Sequence, residues 1–311
     1  MNREGSEGIG YLDFTWNPVV GCTNGCSYCW ARRQAKRQKH NCQTCYDFTP
    51  HLHPERLDEP LRKRKPLVIG GVFMGDLFDS ALPDQTTWDV LGRMEMAEWH
   101  RFVVLTKQPR RASAFVFSPN VVLGVSVTDQ ESANRLIPEL LECPAATRIV
   151  SIEPMLGAVV ASSYLGLECA ACGGWAMVAD HEPECVTRWC DDCGAEDNRA
   201  RLDGVILGGE TGPGARPLHP DWIRKVRDDC AAARVPFYFK GWGEWVPGPL
   251  RILKHGKSDA WRAANDYHVW PDGSGSNRVP RKAAGRVIDG RTHDELAWAP
   301  AFAPPADEAR E

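Results

Sequence analysis

Short apolar runs recur along the chain, each closed by polar residues or glycine, and a stretch with helical periodicity usually follows. The runs are Leu67–Met74 (LVIGGVFM), Phe102–Leu105 (FVVL), Val121–Val127 (VVLGVSV), Arg148–Ile152 (RIVSI), Gly204–Leu207 (GVIL) and Val235–Phe239 (VPFYF), with a weaker one at Tyr11–Val20. A continuous apolar run suits a strand buried on both faces, hence a parallel sheet covered by helices. Between the runs, Thr87–Trp99 aligns Trp88, Leu91, Met94 and Glu98 on one helical face. Asp129 is placed to cap a helix carrying Ala133, Leu136, Ile137 and Leu140, which Pro138 should kink or shorten. Asp221–Arg234 aligns Trp222, Val226, Cys230 and Ala233. No fixed-period repeat is present. The expectation is an α/β fold, a βα barrel or an open doubly wound sheet, and six or seven units fit a partial or complete (β/α) barrel better than a four-helix or all-β alternative.

The alternation covers residues 1–245. Residues 168–197 break it as a cysteine-rich insertion between two strands. Residues 246–311 are rich in Gly, Pro and charge and read as an extension that wraps the barrel or is partly mobile. With 311 residues, 43% of them hydrophobic, the chain can bury a large core without crosslinks. A net charge of −4 argues against a protein that coats nucleic acid. No run nears the roughly 18 apolar residues of a spanning helix. The opening MNREGSEGIG has no apolar stretch of the secretory kind, so a cytoplasmic protein with no membrane partner is expected.

Twelve cysteines are many for such a chain, and close-spaced pairs in a reducing compartment read as metal or redox sites. Ten fall in three clusters, and Cys143 and Cys230 stand alone. The first cluster, Gly21-Cys22-Thr23-Asn24-Gly25-Cys26-Ser27-Tyr28-Cys29, is C-x3-C-x2-C. Three soft thiolates on a glycine-loosened loop suit an iron–sulfur cluster or zinc. Structural zinc wants four ligands, so a zinc reading must borrow a distant one such as His40 or Cys42. Three thiolates on a four-iron cluster leave one iron open.

This loop resembles the motif of the radical S-adenosylmethionine superfamily, including the aromatic Tyr28 before the last cysteine. The segments TWNPVVGC, HPERLDEPLR, GDLFD, VLTKQP, LGVSV, SIEPMLG, GGETGPGARPLHPDW, PFYFKGWGEW and AAGRVIDGRTHDEL resemble a phage-associated three-cysteine-motif family, itself radical S-adenosylmethionine-like. The resemblance implies a barrel of the radical S-adenosylmethionine type. Cys22, Cys26 and Cys29 would hold a 4Fe-4S cluster whose open iron chelates S-adenosylmethionine, and one-electron cleavage would release a 5′-deoxyadenosyl radical. Tyr28 would lie close to the adenine. It also implies an electron-donor protein such as flavodoxin or ferredoxin. The phage association implies a host-cell cytoplasmic location and a nucleotide or nucleic-acid substrate for modification. A photoproduct-lyase-like repair enzyme that recycles S-adenosylmethionine is a further option.

Function in βα barrels gathers at the carboxyl ends of the strands. Those ends carry Asp76, Thr106, Lys107, Ser126, Glu153, Glu210 and Lys240. Lys107, Glu153 and Lys240 are the candidate catalytic groups. Tyr28, Asp76, Ser126 and Glu210 are the candidate cofactor-binding groups, with Asp76 as acceptor for the methionine amine. The alternative is structural: Lys107, Glu153, Glu210 and Lys240 form a buried ion-pair ring that closes the barrel.

Cys169-x2-Cys172, seventeen residues, then Cys190-x2-Cys193 is a zinc-ribbon spacing, and two such knuckles complete a tetrahedron. An auxiliary iron–sulfur cluster is the competing reading, and His181 or Cys185 could substitute as ligand. Eight acids against one base in residues 168–197 disfavour contact with phosphates. Cys42-x2-Cys45 is a candidate second zinc site, with His40, His51 and His53 near enough to complete it. Residues 31–65 carry ten Lys or Arg against four acids, including Arg32, Arg33, Lys36, Arg37, Lys39 and Arg62–Lys65. They read as a guide for a phosphate-bearing substrate or as a solvated helix face. The rival from another class is a non-catalytic zinc-binding interaction protein that uses all three clusters structurally.

Overall fold

The computed structural model describes residues 1–3, 9–169, 171–174, 177–179, 188–190, 192–195, 200–249 and 266–298. His181 and Cys185, and the parts of the C-terminal extension at 250–265 and 299–311, lie outside the described residues.

Eight strands form one sheet whose spatial order is their chain order: β1 (Asn2–Arg3), β2 (Phe14–Trp16), β3 (Val68–Gly71), β4 (Arg101–Thr106), β5 (Val121–Val127), β6 (Thr147–Ile152), β7 (Gly204–Gly208) and β8 (Phe237–Gly241). β1 pairs antiparallel with β2, and every later pair is parallel. Sequential parallel order needs a crossover after each strand. The described helices are α1 (Trp30–Ala35), α2 (Gln43–Asp47), α3 (Asp84–Met96), α4 (Gln130–Leu141) and α5 (Pro220–Ala233), with shorter turns between.

The seven parallel strands curl into a partial barrel that, among the described residues, strand pairing does not close. At the seam the Tyr11 ring meets the Tyr238 ring edge-on at 5.4 Å and the Trp298 ring at 6.0 Å. The outer edge of β8 bonds instead to the C-terminal extension, where the Phe239 amide donates to the His293 carbonyl and Tyr238 bridges Asp294.

The apolar runs read as continuous because both faces are covered. Val103, Val122, Ile149, Ile206 and Tyr238 point inward, with Tyr11, Leu12 and Trp298. Their neighbours Phe102, Val104, Val121, Leu123, Val150, Val205, Leu207 and Phe239 pack outward against the helices. The interior is full at mid-height: a Cβ on Gly124 would lie 2.7 Å from both Ile149 and Leu105. Leu296, Ala297 and Trp298 fill the end where the strands begin, Ala297 packing against Gly204. The end where they finish is left for a site.

Three local expectations are corrected. The α3 face is Thr87, Val90, Leu91 and Met94, while Trp88 is 42% exposed and leans on Phe115. Pro138 does not shorten α4, which runs to Leu141. An Asp129–Ser132 capping box fixes its start, and burial of Ala133, Leu136, Ile137 and Leu140 holds it to the sheet. The run from Leu67 ends as a strand at Gly71, because Val72 takes φ 61° and turns the chain. Beyond the barrel, β9 (Trp245–Pro247), β10 (Tyr267–Val269) and β11 (Gly275–Arg278) make a small antiparallel sheet in the order β9-β11-β10. Met177–Ala179 and Arg188–Cys190 pair as a hairpin in the insertion. Among the described residues no helix is long and apolar enough to cross a membrane.

Candidate metal centres and cavity

The three-cysteine loop leaves the sheet after β2 and is tied down on all sides. Gly21 adopts φ 97°, and a Cβ there would sit 2.3 Å from the Thr49 carbonyl oxygen, so only glycine fits. Asp79 accepts from the Thr23 amide (2.6 Å) and hydroxyl (2.9 Å). Backbone amides donate to sulfur: Asn24 to Cys22 at 3.4 Å, and Arg32 to Cys29, the N-cap of α1, at 3.3 Å. Burial pushes the Cys22 thiol up to about 12, with the Asp76 and Asp79 carboxylates adding to the effect. Without a cation nearby this sulfur stays protonated.

Asp76 organises this region. Its carboxylate is 3% exposed and accepts from Asn24 Nδ2 (3.0 Å), the Phe78 amide (3.0 Å), Thr106 Oγ1 (2.7 Å) and the Lys107 amide (2.9 Å). Those donors fill about the four lone-pair sites a carboxylate offers. The group expected to face a cofactor amine is therefore committed to protein donors, and it latches the cysteine loop to β4.

Over the strand ends lies a cavity of about 1560 Å³. Cys22, Cys26 and Cys29 line it, as do Tyr28, Asp76, Lys107, Ser126, Glu153, Glu210 and Lys240. The sequence-predicted groups are thus brought to one space, but they do not form a single ion-pair ring. Lys240 Nζ contacts Glu153 Oε2 at 2.5 Å, spanning β7 above Gly208. Glu210 turns to Arg216, accepting from Nε at 2.7 Å, Nη2 at 3.2 Å and the amide at 2.9 Å. Lys107 Nζ donates to the Ser126 carbonyl at 2.8 Å and lies 5.7 Å from the Tyr28 ring centre. Burial pulls the Lys107 ammonium below its ordinary range and raises the Tyr28 phenol.

Sequence reasoning missed Ser151 and Arg216. Ser151 Oγ and Glu153 Oε1 are buried, line the cavity and have no hydrogen-bond partner among the described residues. The signal for Ser151 was a lone hydroxyl inside the apolar run RIVSI. Several basic residues of 31–65 have internal partners. Arg32 stacks over Phe48 at 5.0 Å and donates to the Cys22 carbonyl, and Lys36 donates to the Tyr46 carbonyl. Arg33 and Arg56 line the cavity.

Two four-ligand sets are preformed, each with ligand atoms within 4.8 Å of one another. In the insertion, Cys169 Sγ is 3.7 Å from Cys193 Sγ, and Cys172 Sγ is 3.6 Å from Cys190 Sγ. A tetrahedral zinc ion with bonds of about 2.3 Å wants sulfurs about 3.8 Å apart. Amides of Cys172 and Ala171 pull the Cys169 thiol down to about 7. The second set is Cys42, Cys45, His51 and His53, and it does not include His40. A third group, His219, Asp221 and Asp272, places two exposed acids around a histidine. Among the described residues no such group includes Cys22, Cys26 or Cys29. These three line the cavity, and their sulfurs do not all lie within 4.8 Å of one another.

The molecule is thus an α/β protein with a partial barrel and with nearby cysteine and histidine clusters that could hold metal ions. No curated protein and no solved structure matches the chain. One family model matches, described as a protein of unknown function (DUF5131), and it spans residues 6–297. With nearly its whole length matched, the chain belongs to the DUF5131 family.

Proposed function

We propose that the chain is a zinc-stabilised radical S-adenosylmethionine enzyme, with its reaction centre in the strand-end cavity. The observation that carries this reading is the placement of three thiols, whose sulfurs do not all lie within 4.8 Å of one another, in the lining of a cavity with buried, unpartnered polar atoms. A four-iron cluster takes each thiolate on a different iron, so dispersed sulfurs fit it better than zinc. Cys22, Cys26 and Cys29 would hold it. When bound with S-adenosylmethionine, such a cluster supplies one-electron cleavage of the sulfonium.

The chain's own groups then have distinct tasks. Asp76 and Asp79 fix the loop, so the three sulfurs keep their spacing. The Tyr28 ring offers a flat face to a purine. Lys240 holds Glu153 through Oε2, and the buried, unpartnered Glu153 Oε1 and Ser151 Oγ, both on residues that line the cavity, are the groups left to meet a substrate. Arg33, Lys282 and Arg286 line the cavity and suit a phosphate-bearing substrate such as a nucleotide or nucleic acid. A flavodoxin or ferredoxin is the electron donor this chemistry calls for.

The rival is a non-catalytic zinc-binding interaction protein. The two preformed four-ligand sets back it more directly, since each is complete without the cavity. It asks the three-cysteine loop for a structural site as well, and among the described residues no metal-ligand group includes Cys22, Cys26 or Cys29. Metal analysis of anaerobically purified protein separates the two. Iron with acid-labile sulfide, a visible charge-transfer band and release of 5′-deoxyadenosine from S-adenosylmethionine are expected; zinc alone would leave the rival standing.

A further inference from the structure

The second four-ligand set lies against the three-cysteine loop. Cys45 Sγ is 3.5 Å from His51 Nε2 and 3.2 Å from His53 Nε2, and Cys42 Sγ is 3.7 Å from His51 Nε2. Tetrahedral zinc with bonds of about 2.3 Å to sulfur and 2.0 Å to nitrogen places these atoms about 3.5 Å apart. Both ring nitrogens on the far side are engaged: His51 Nδ1 with the Thr49 carbonyl at 2.8 Å, and His53 Nδ1 with Glu55 Oε1 at 3.0 Å. Such partners keep the proton on Nδ1 and leave Nε2 free for a metal.

The segment bearing these ligands clamps both ends of the loop. His51–Leu52 pairs antiparallel with Val19–Val20, just before Gly21. The Phe48 carbonyl accepts from the Cys22 amide at 3.3 Å. The Phe48 ring packs on Ala31 and Ala35 of α1 and on Cys22 and Cys29. α2, which carries Cys45, is only five residues long and starts with Cys42 as its cap. Helices this short are not stable by propensity, so this piece needs another anchor.

We infer that Cys42, Cys45, His51 and His53 bind zinc, and that this ion is the strut that sets the position of the three-cysteine loop. The strut serves the loop whether or not the loop carries iron, so iron-free protein tests it separately from the proposed chemistry.

The test compares the iron-free full chain with a His51→Ala/His53→Ala double variant and a His53→Cys variant, which keeps four ligands. The readouts are zinc content and hydrogen exchange of the peptide spanning residues 19–29, with the peptide around Cys169–Gly174 as internal reference. The double variant is expected to lose one equivalent of zinc and to exchange at least tenfold faster in the loop, while the reference peptide is unchanged. His53→Cys is expected to restore both. Unchanged zinc in the double variant, or lost zinc with unchanged loop exchange, overturns the inference. If the double variant does not fold, stepwise chelation of the wild-type chain makes the same comparison. Loop exchange that rises as the first zinc leaves supports the strut, and unchanged exchange refutes it.

Discussion

The three-cysteine loop and the four-cysteine insertion use the same side chain to opposite ends. In the insertion, the sulfurs converge on each other, close enough to share one ion. In the loop they stay apart, and the barrel holds the backbone between them through Asp76 and Asp79. A site that is complete in itself can be appended almost anywhere on a fold. A loop whose sulfurs do not converge takes its geometry from its neighbours, so it has to be built into the sheet.

The sharpest break of this contrast is Cys26→Ala. It is expected to abolish bound iron and the visible band entirely while leaving zinc content unchanged, as measured by metal analysis after anaerobic reconstitution. Next comes Asp76→Ala, which strands several buried donors. It should lower stability by about 3 kcal/mol in urea unfolding and also reduce iron uptake, since the latch and the loop are one unit. A smaller effect is expected at Asp289, which ties the extension to α5 through Arg224 (2.8 Å) and Arg227 (2.7 Å). The two guanidiniums hold its carboxyl well below the usual carboxylate range. A depressed carboxyl contributes stability that is whole above the unfolded value of about 3.9 and is lost as pH falls through the folded one. The pair is partly exposed, so Asp289→Asn should cost only about 0.5 kcal/mol at neutral pH. That difference should vanish in strong acid when melting is followed against pH. The smallest effect on the barrel is expected from Cys193→Ser. It should release the insertion's zinc yet leave the urea midpoint of the barrel within about 0.3 kcal/mol of wild type, as for distant sites. A larger shift would show that the insertion is not merely appended.

The barrel was legible because burial on both faces writes itself as unbroken apolar runs, and most strand ends lie within two residues of where those runs stop; the run from Leu67 is an exception, because Val72 turns the chain. The four-cysteine set was legible from spacing alone, since short knuckles leave the sulfurs little choice. The strand-end residues all line one cavity, yet their partners are not legible in the sequence. Glu210 could pair with Lys240 or with Arg216, and only the turn at Gly212 and Gly214 brings Arg216 back to it. The same limit applies to Asp76. A carboxylate at a strand end looks available until the loop carrying Asn24 and the start of the next crossover are folded over it. His51 and His53 were named as ligand candidates together with His40, and the short pairing with Val19–Val20 is what selects the first two.

The seam of the barrel has its own consequence. A sheet zipped shut by backbone bonds has its girth fixed by register, in steps of whole residues. Here the last gap is spanned by Tyr11, Tyr238 and Trp298 meeting edge-on, so the circumference is set by ring size rather than by strand count. Trimming Tyr11 or Tyr238, which also line the cavity, would slacken the seam while every strand kept its partner. In this way the width of the chamber can be tuned independently of the scaffold that encloses it.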